Sequence, residues 1–148
     1  MPRSLSYSQS AAMPTVYLTG LQSLRAGGMS PRSKVLVIGA SGGCGSAGVQ
    51  LARAFGTKEI VGVSSGKNAE MVRAQGADRV LDYTQQCLAE EAADFDLVYD
   101  TATGSGAGED YRTGGRALLA PPSLERRPQY VTINGGLSVW LCQLIGWE

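Results

Sequence analysis

The 148-residue sequence contains no histidine. This absence removes the commonest general acid–base side chain, the usual Ser–His and Cys–His catalytic pairs, and the most frequent zinc ligand. Basic and acidic residues number 13 each, so the formal net charge is zero. A neutral chain argues against a general nucleic-acid or anionic-membrane surface. Several large function classes are therefore excluded before any motif is considered.

Cysteine is scarce, and long apolar runs are lacking. The chain has three cysteines, Cys44, Cys87 and Cys142, which lie far apart without a C-x-x-C pair. This spacing indicates reduced thiols in a reducing compartment, cytoplasmic or organellar, rather than a disulfide framework or zinc site. No apolar run approaches the roughly 20 residues of a membrane span. The first ten residues lack the apolar core of a secretory signal. We therefore expect one domain with a hydrophobic core.

The most informative stretch runs from residue 35 to residue 55. Four apolar residues predict a buried strand, a glycine cluster follows, and residues 46–55 carry apolar side chains at helical spacing. Such a unit binds a dinucleotide by placing its pyrophosphate against backbone N–H groups at the helix N-terminus. A Cβ at Gly42 or Gly43 would hold the backbone away from that ligand, and Gly45 allows close packing of helix on strand.

The glycine pattern departs from the plain G-x-G-x-x-G. From Ala40 it is A-x-G-x-x-G, with Gly39 one residue earlier. The flanking strand and helix favour a nucleotide-binding turn. The alternative is a glycine-rich connection in an α/β domain that binds no ligand.

Strand-like and helix-like segments alternate along the rest of the chain. This alternation predicts an α/β fold, a doubly wound parallel sheet (Rossmann fold) that is incomplete, with about five strands visible. We assign residues 1–29 to a lead-in and linker helix and residues 30–148 to the nucleotide-binding domain. The further predicted strands are 60–65, 79–83, 95–100 and 130–134. The further predicted helices are 10–25 with Pro14 in its first turn, 68–75 capped by Asn68 and ended by Gly76, and 85–93.

The end of the second predicted strand lacks an acidic residue. In NAD sites such a residue binds the adenine ribose, about 20 residues beyond the glycines. Here Ser64, Ser65, Gly66 and Lys67 occupy that place. The hydroxyls can hydrogen-bond a 2′-phosphate, and the lysine can offset its charge, which favours NADPH over NADH. The alternative, a Ser-Gly turn with a solvated lysine, leaves the nucleotide preference open.

Residues 35–52 resemble the cofactor-domain fingerprint of medium-chain dehydrogenase/reductases, in particular the zinc-free, quinone oxidoreductase-like branch of the zeta-crystallin relatives. Residues 10–20 are similar to that family's linker helix, 75–83 to its Leu-Gly-Ala-Asp…Asp-Tyr segment, and 95–101 to its fourth strand. The resemblance implies NADPH-dependent, metal-free hydride transfer to a quinone, an enone or another activated double bond.

The resemblance also implies where the cofactor would lie. Tyr83 is equally well explained as a packed aromatic, Asn134 as a strand-end turn residue, and Cys44 more simply as a small turn residue than as a reactive thiol. No residue is a credible general acid or base, and no metal-ligand set is visible. The implied contacts are Ser41, Gly42, Gly43 and Cys44 at the pyrophosphate, Ser64 and Lys67 at the 2′-phosphate, Tyr83 at the adenosine, and Thr101 and Asn134 at the ribose and nicotinamide.

Two features of the family have no visible counterpart here. We expect the N-terminal, mostly β catalytic domain and the sixth strand to be absent from this chain. Residues 137–148 are apolar for a chain end, as if they pack on a protein partner. A non-catalytic, truncated relative that serves as a structural or interaction subunit therefore remains an alternative. A nucleotide-sensing regulator that binds NADPH without turnover is a weaker one.

Overall fold

The computed structural model describes residues 5–88, 93–102, 116–123 and 127–133. Within these ranges the strands form one sheet in the order β3-β2-β1-β4-β5, and every neighbouring pair is parallel. The order reverses direction at β1, which defines a doubly wound sheet. The predicted five-stranded Rossmann arrangement is confirmed. The strands are β1 (Lys34–Ile38), β2 (Glu59–Ser64), β3 (Arg79–Asp82), β4 (Leu97–Asp100) and β5 (Gln129–Thr132).

The first helix, α1 (Tyr7–Ala26), begins earlier than predicted. The Ser6 hydroxyl accepts a hydrogen bond from the Gln9 N–H at 3.2 Å, and the Gln9 side-chain oxygen accepts one from the Ser6 N–H at 2.8 Å. This capping box starts the helix at Tyr7. The predicted polar lead-in through residue 9 was therefore wrong at its end, and Pro14 lies inside the helix rather than in its first turn.

The second helix, α2 (Gly43–Ala54), begins directly after the glycine cluster instead of at residue 46. A 3₁₀ turn (Gly66–Asn68) precedes the short helix α3 (Ala69–Ala74). The predicted cap at Asn68 was wrong, because its side-chain amide donates to the Ser65 hydroxyl at 3.2 Å instead. The end of α3 before Gly76 is as predicted, and Gly76 has the positive φ of +119° that suits a helix end.

Three predictions near the second half of the sheet have different outcomes. Residue 95 pairs with Leu119 only as an isolated bridge, so the fourth strand begins at Leu97. The predicted helix 85–93 falls partly on residues 89–92, and the end of strand 130–134 and the apolar tail 137–148 also lie outside the described residues. No helix in the described ranges is long and apolar enough to cross a membrane.

The core lies on both faces of the sheet. All four apolar residues of β1, Val35 to Ile38, are buried, as expected for a central parallel strand that is covered on both sides. Alternate side chains divide between the faces. One cluster joins Val35 and Val37 to Leu24 of α1 and Val49 of α2. The other cluster lies on the opposite face around Leu36, Ile38, Val61, Val63 and Phe95.

Tyr99 of β4 is fully buried beneath α2. A Cβ added at Gly48 would lie 2.7 Å from its ring, so the helix approaches the sheet closely only because residue 48 has no side chain. Burial, with a smaller contribution from the neighbouring Cys44, raises the pKa of Tyr99 to about 12.

This raised pKa makes stability depend on pH in the alkaline range. An unfolded tyrosine titrates near pH 10, so above about pH 10 the unfolded chain loses the proton first and unfolding becomes more favourable. We expect the free energy of unfolding to hold its full value below about pH 10 and to fall as pH rises towards 12. Urea unfolding at a series of pH values should show a smaller decline for Tyr99→Phe. The control Tyr83→Phe alters a side chain that is 52% exposed and should keep the wild-type decline. An unchanged decline in Tyr99→Phe would contradict the prediction.

Candidate functional site

The turn between β1 and α2 is held by backbone hydrogen bonds. Gly39 adopts a positive φ of +76°, which favours glycine. The Gly42 N–H donates to the Gly39 carbonyl at 2.9 Å, and the Ala40 N–H donates to the Val63 carbonyl of β2, also at 2.9 Å. The start of α2 is therefore fixed relative to the carboxyl ends of two strands, where doubly wound sheets bind their ligands.

Gly45 is required by the packing of α2 over this turn. A Cβ on Gly45 would lie 2.7 Å from the carbonyl carbon of Gly39, 2.9 Å from the Cα of Ala40, and closer still to the Gly39 oxygen. Backbone atoms occupy this space, so no rotamer change can make room. The predicted close packing of helix and strand at Gly45 is confirmed.

Gly42 and Gly43 are different, because the protein's own packing leaves space beside them. Both are exposed. A Cβ on Gly42 would meet only the Gly39 oxygen at 3.4 Å, and one on Gly43 would meet the Val16 side chain at 3.2 Å. Contacts within the described chain therefore do not explain the glycine at position 42, and space remains for a ligand to approach the backbone. Ser41 and Cys44, the other predicted pyrophosphate residues, are half-buried beside them.

The N-terminus of α2 has the electrostatics of an anion site. Gly42 supplies no side-chain cap, and no acidic residue lies in the first helical turn. The first N–H groups of an α-helix have no acceptor within the helix, and the helix dipole places partial positive charge there. This end of α2 can therefore accept a phosphate or pyrophosphate group.

Thr101, predicted at the ribose, follows β4 and lies beside the glycine turn. Its hydroxyl donates to the Ile38 carbonyl at 2.7 Å and lies 3.3 Å from the Gly39 carbonyl oxygen. The preceding Asp100 is 2% exposed and accepts hydrogen bonds from the Ala102 N–H and the Tyr130 hydroxyl. Sequence reasoning missed this Asp100–Tyr130 pair, which joins β4 to β5 next to Thr101. The ribose-side residue is thus held by two neighbouring strands.

The predicted 2′-phosphate residues at the end of β2 differ in their accessibility. Ser64 is only 2% exposed, and its hydroxyl donates to the Ser65 carbonyl at 3.2 Å. Lys67 is exposed in the 3₁₀ turn, and Tyr83, just after β3, is also exposed. The structure therefore presents Lys67 and Tyr83 to solvent, while the Ser64 hydroxyl is occupied inside the fold. Asn134 lies outside the described residues.

An acidic residue does lie at this edge, although it does not come from β2. The pairing of β2 with β3 sets Asp82 opposite Ser64. The Asp82 carboxylate accepts hydrogen bonds from the hydroxyl of Thr84 at 2.7 Å and from the Thr84 N–H at 3.0 Å. These bonds, with one from the Gly66 N–H, lower the pKa of Asp82. A search for acidic residues along β2 alone could not find it. Separately, no three His, Cys, Asp or Glu side chains in the described part of the chain cluster as a metal site would require.

A scan against protein-family models gives no match. Comparison with curated proteins finds clear relatives. The 2-methylene-furan-3-one reductase of Solanum lycopersicum is 33% identical over 120 residues, which cover 80% of this chain and 31% of that protein. The mitochondrial NAD(P)H oxidoreductase RTN4IP1 of Mus musculus is 36% identical over 112 residues, which cover 70% of this chain and 28% of that protein.

Solved structures agree with these relatives. The quinone oxidoreductase of Thermus thermophilus, described alone and in complex with NADPH, matches with a TM-score of 0.67 at 28% identity. The match covers 95% of this chain and 50% of that one. The chain therefore spans half of the solved enzyme and less than a third of the two curated relatives.

The sheet order and the glycine turn define a Rossmann-type nucleotide-binding fold of the oxidoreductase class. The chain belongs to the medium-chain dehydrogenase/reductase superfamily, with quinone oxidoreductase-like proteins and alkenal reductases as its homologues over their cofactor-binding portion. The resemblance identified from the sequence is confirmed.

Proposed function

We propose that this chain binds NADPH at the β1–α2 turn and forms the nucleotide-binding part of a quinone oxidoreductase-like reductase. The observation that carries the proposal is the uncapped N-terminus of α2, with Gly42 and Gly43 exposed and the space beside them open. This geometry fits a pyrophosphate. The names of the relatives, NAD(P)H oxidoreductase and NADPH-dependent alkenal/one oxidoreductase, support the same cofactor class.

The site residues would bind and orient the cofactor. The backbone N–H groups from Ser41 to Cys44 would hold the pyrophosphate, and Thr101 would lie near the ribose on the β4 side. When bound, NADPH supplies the hydride, which would pass to a quinone, an enone or another activated double bond. The chain's contribution is to hold the cofactor in place, since binding that fixes orientation lowers the barrier to transfer. We propose no catalytic side chain and no metal.

The preference for NADPH over NADH rests on the adenosine end. Lys67 is exposed after β2, and β2 itself ends in two serines rather than in an acidic residue. A lysine ammonium can pair with a 2′-phosphate, while an acidic residue there would bind the free ribose hydroxyl of NADH. Because Ser64 is buried, we now assign the 2′-phosphate chiefly to Lys67, with Tyr83 beside the adenosine.

Calorimetric titration of the full chain with NADPH and then NADH, at low ionic strength, tests the proposal. We expect micromolar affinity for NADPH and affinity at least about tenfold weaker for NADH, a difference of about 1.4 kcal/mol. A chain that is folded by circular dichroism but binds neither nucleotide would overturn the nucleotide site. Equal affinities would retain the site and overturn the NADPH preference.

The reductase part of the proposal needs a second measurement. Consumption of NADPH by the full chain can be followed with a benzoquinone or an alkenal as acceptor. Acceptor-dependent oxidation would support hydride transfer. Tight NADPH binding without oxidation by either acceptor would favour instead a nucleotide-binding protein without turnover.

A further inference from the structure

Asp82 and Gly66 lie 16 positions apart in the sequence, yet they meet at the adenosine end of the proposed site. The parallel register of β2 and β3 places Asp82 opposite Ser64, two residues before Gly66. A Cβ added to Gly66 would contact a carboxylate oxygen of Asp82 and lie 3.3 Å from its Cγ. The Gly66 N–H donates to this carboxylate. The carboxylate is thus fitted against the backbone of the turn that carries Lys67.

The turn needs such support because it is short. Gly66–Asn68 is a single 3₁₀ turn, and Ser65 at its start makes no side-chain capping bond. Isolated 3₁₀ turns have poorer hydrogen-bond geometry than an α-helix. Gly66 and Lys67 are both exposed, so solvent competes for their polar groups. A charged acceptor makes a stronger hydrogen bond than a neutral one, and Asp82 supplies it from the neighbouring strand.

Thr84 fixes the carboxylate from the other side. Its N–H and hydroxyl both donate to one oxygen of Asp82. Two further bonds hold the backbone of this segment: the N–H groups of Gln85 and Gln86 donate to the Asp82 carbonyl. The side chain of Asp82 therefore has little freedom to turn away from Gly66.

We infer that Asp82 is a positioning residue, which holds the Gly66–Asn68 turn so that Lys67 faces the 2′-phosphate and thereby sets the preference for NADPH. The inference rests on the proposed function, because it requires a dinucleotide at this site. The carboxylate acts through geometry. Its charge alone would repel a phosphate, so geometry and charge lead to opposite effects when Asp82 is replaced.

The test compares Asp82→Ala with Asp82→Asn in calorimetric titrations of the full chain with NADPH and NADH. Asp82→Ala removes the acceptor, and we expect NADPH affinity to fall about tenfold. NADH lacks the 2′-phosphate and should change less than about twofold. Asp82→Asn keeps an oxygen acceptor of the same shape, and NADPH affinity should stay within about threefold of wild type.

Gly66→Ala probes the same contact from the other partner. The added methyl group would displace the carboxylate, so we expect a loss of NADPH affinity similar to that of Asp82→Ala. The double variant Asp82→Ala/Gly66→Ala should be no weaker than either single variant, since residues that share one contact are not additive.

Asp78→Ala is the matched control. Asp78 lies just before the opposite end of β3, where it accepts a hydrogen bond from the Ile60 N–H of β2 at 2.8 Å and pairs with Arg53. Its loss should lower the melting temperature and leave the ratio of NADPH to NADH affinity unchanged. It therefore separates general weakening of the β2–β3 edge from the specific effect of Asp82.

The outcomes distinguish this inference from the proposed function. A wild-type chain that binds no nucleotide overturns the proposed function, and this inference with it. If wild type prefers NADPH, the inference alone is overturned by an unchanged Asp82→Ala preference or by equal weakening of both nucleotides. Tighter NADPH binding by Asp82→Ala would also overturn it, because the carboxylate would then act as a repelling charge. Melting temperatures establish that each variant is folded.

Discussion

Gly45→Ala should lower the free energy of unfolding by about 3 kcal/mol, at the upper end of the usual cost of overpacking. The added methyl group would meet the carbonyl group of Gly39 and the Cα of Ala40. These backbone atoms cannot move aside easily, because hydrogen bonds from the Gly42 N–H and to the Val63 carbonyl hold the turn. Either α2 must move off β1 or the turn must break. Urea unfolding followed by circular dichroism measures the loss.

Alanine at the two neighbouring glycines supplies the control. Near Gly43 the closest atom to an added Cβ is 3.2 Å away, in the Val16 side chain, and near Gly42 it is 3.4 Å away. Each of these variants should cost less than about 1 kcal/mol, the usual effect of a poorer helix cap. Equal losses at all three positions would mean that the Gly45 contact is not what determines stability here.

Gly42→Ala then separates folding from binding. Its fold should remain intact, while NADPH affinity should fall about tenfold, because the methyl group would stand where the pyrophosphate approaches the backbone. Gly45→Ala should lose binding together with stability. Wild-type NADPH affinity in a folded Gly42→Ala chain would show that the pyrophosphate does not lie at this turn.

Lys67→Glu should weaken NADPH binding about a hundredfold, because a charge-assisted contact to the 2′-phosphate is replaced by repulsion. NADH carries no phosphate there, so its affinity should change less than about threefold. Lys67 is exposed in the turn after β2, and its replacement should not disturb the core. Calorimetric titration with both nucleotides measures the change.

Lys58→Glu is the matched control for this charge reversal. It changes the net charge of the chain by the same amount, but Lys58 immediately precedes β2, at the opposite edge of the sheet from Lys67. Its effect on NADPH should be small and should decrease with added salt, as expected for a distant surface charge. If both variants weaken NADPH equally, the effect comes from net charge and not from a contact at Lys67.

Some boundaries were missed although their signal was in the sequence. The capping box that starts α1 uses Ser6 and Gln9, a spacing that is itself a recognised helix-start pattern. Pro14 drew attention instead, because proline favours a first turn, but it lies inside the helix. A local side-chain contact outweighed a residue preference.

Ser64 shows a different limit. The serine pair after β2 correctly marked the end of the strand, but the sequence could not show which hydroxyl faces solvent. Successive side chains in a strand point to opposite faces of the sheet, and Ser64 points into the fold, where it is 2% exposed. The chemistry of the residue was predictable, whereas its accessibility depended on what packs beside β2.

The sequence by itself determined the class of fold and the β1–α2 turn, because a buried parallel strand, a glycine turn and a helix start depend on residues close together in the chain. Only the tertiary structure brought Asp82 to Gly66, Tyr130 to Asp100 and Thr101 to Gly39. These contacts depend on which strands become neighbours and in what register. Register follows from burial of both sheet faces at once, a property of the whole chain that no local pattern specifies.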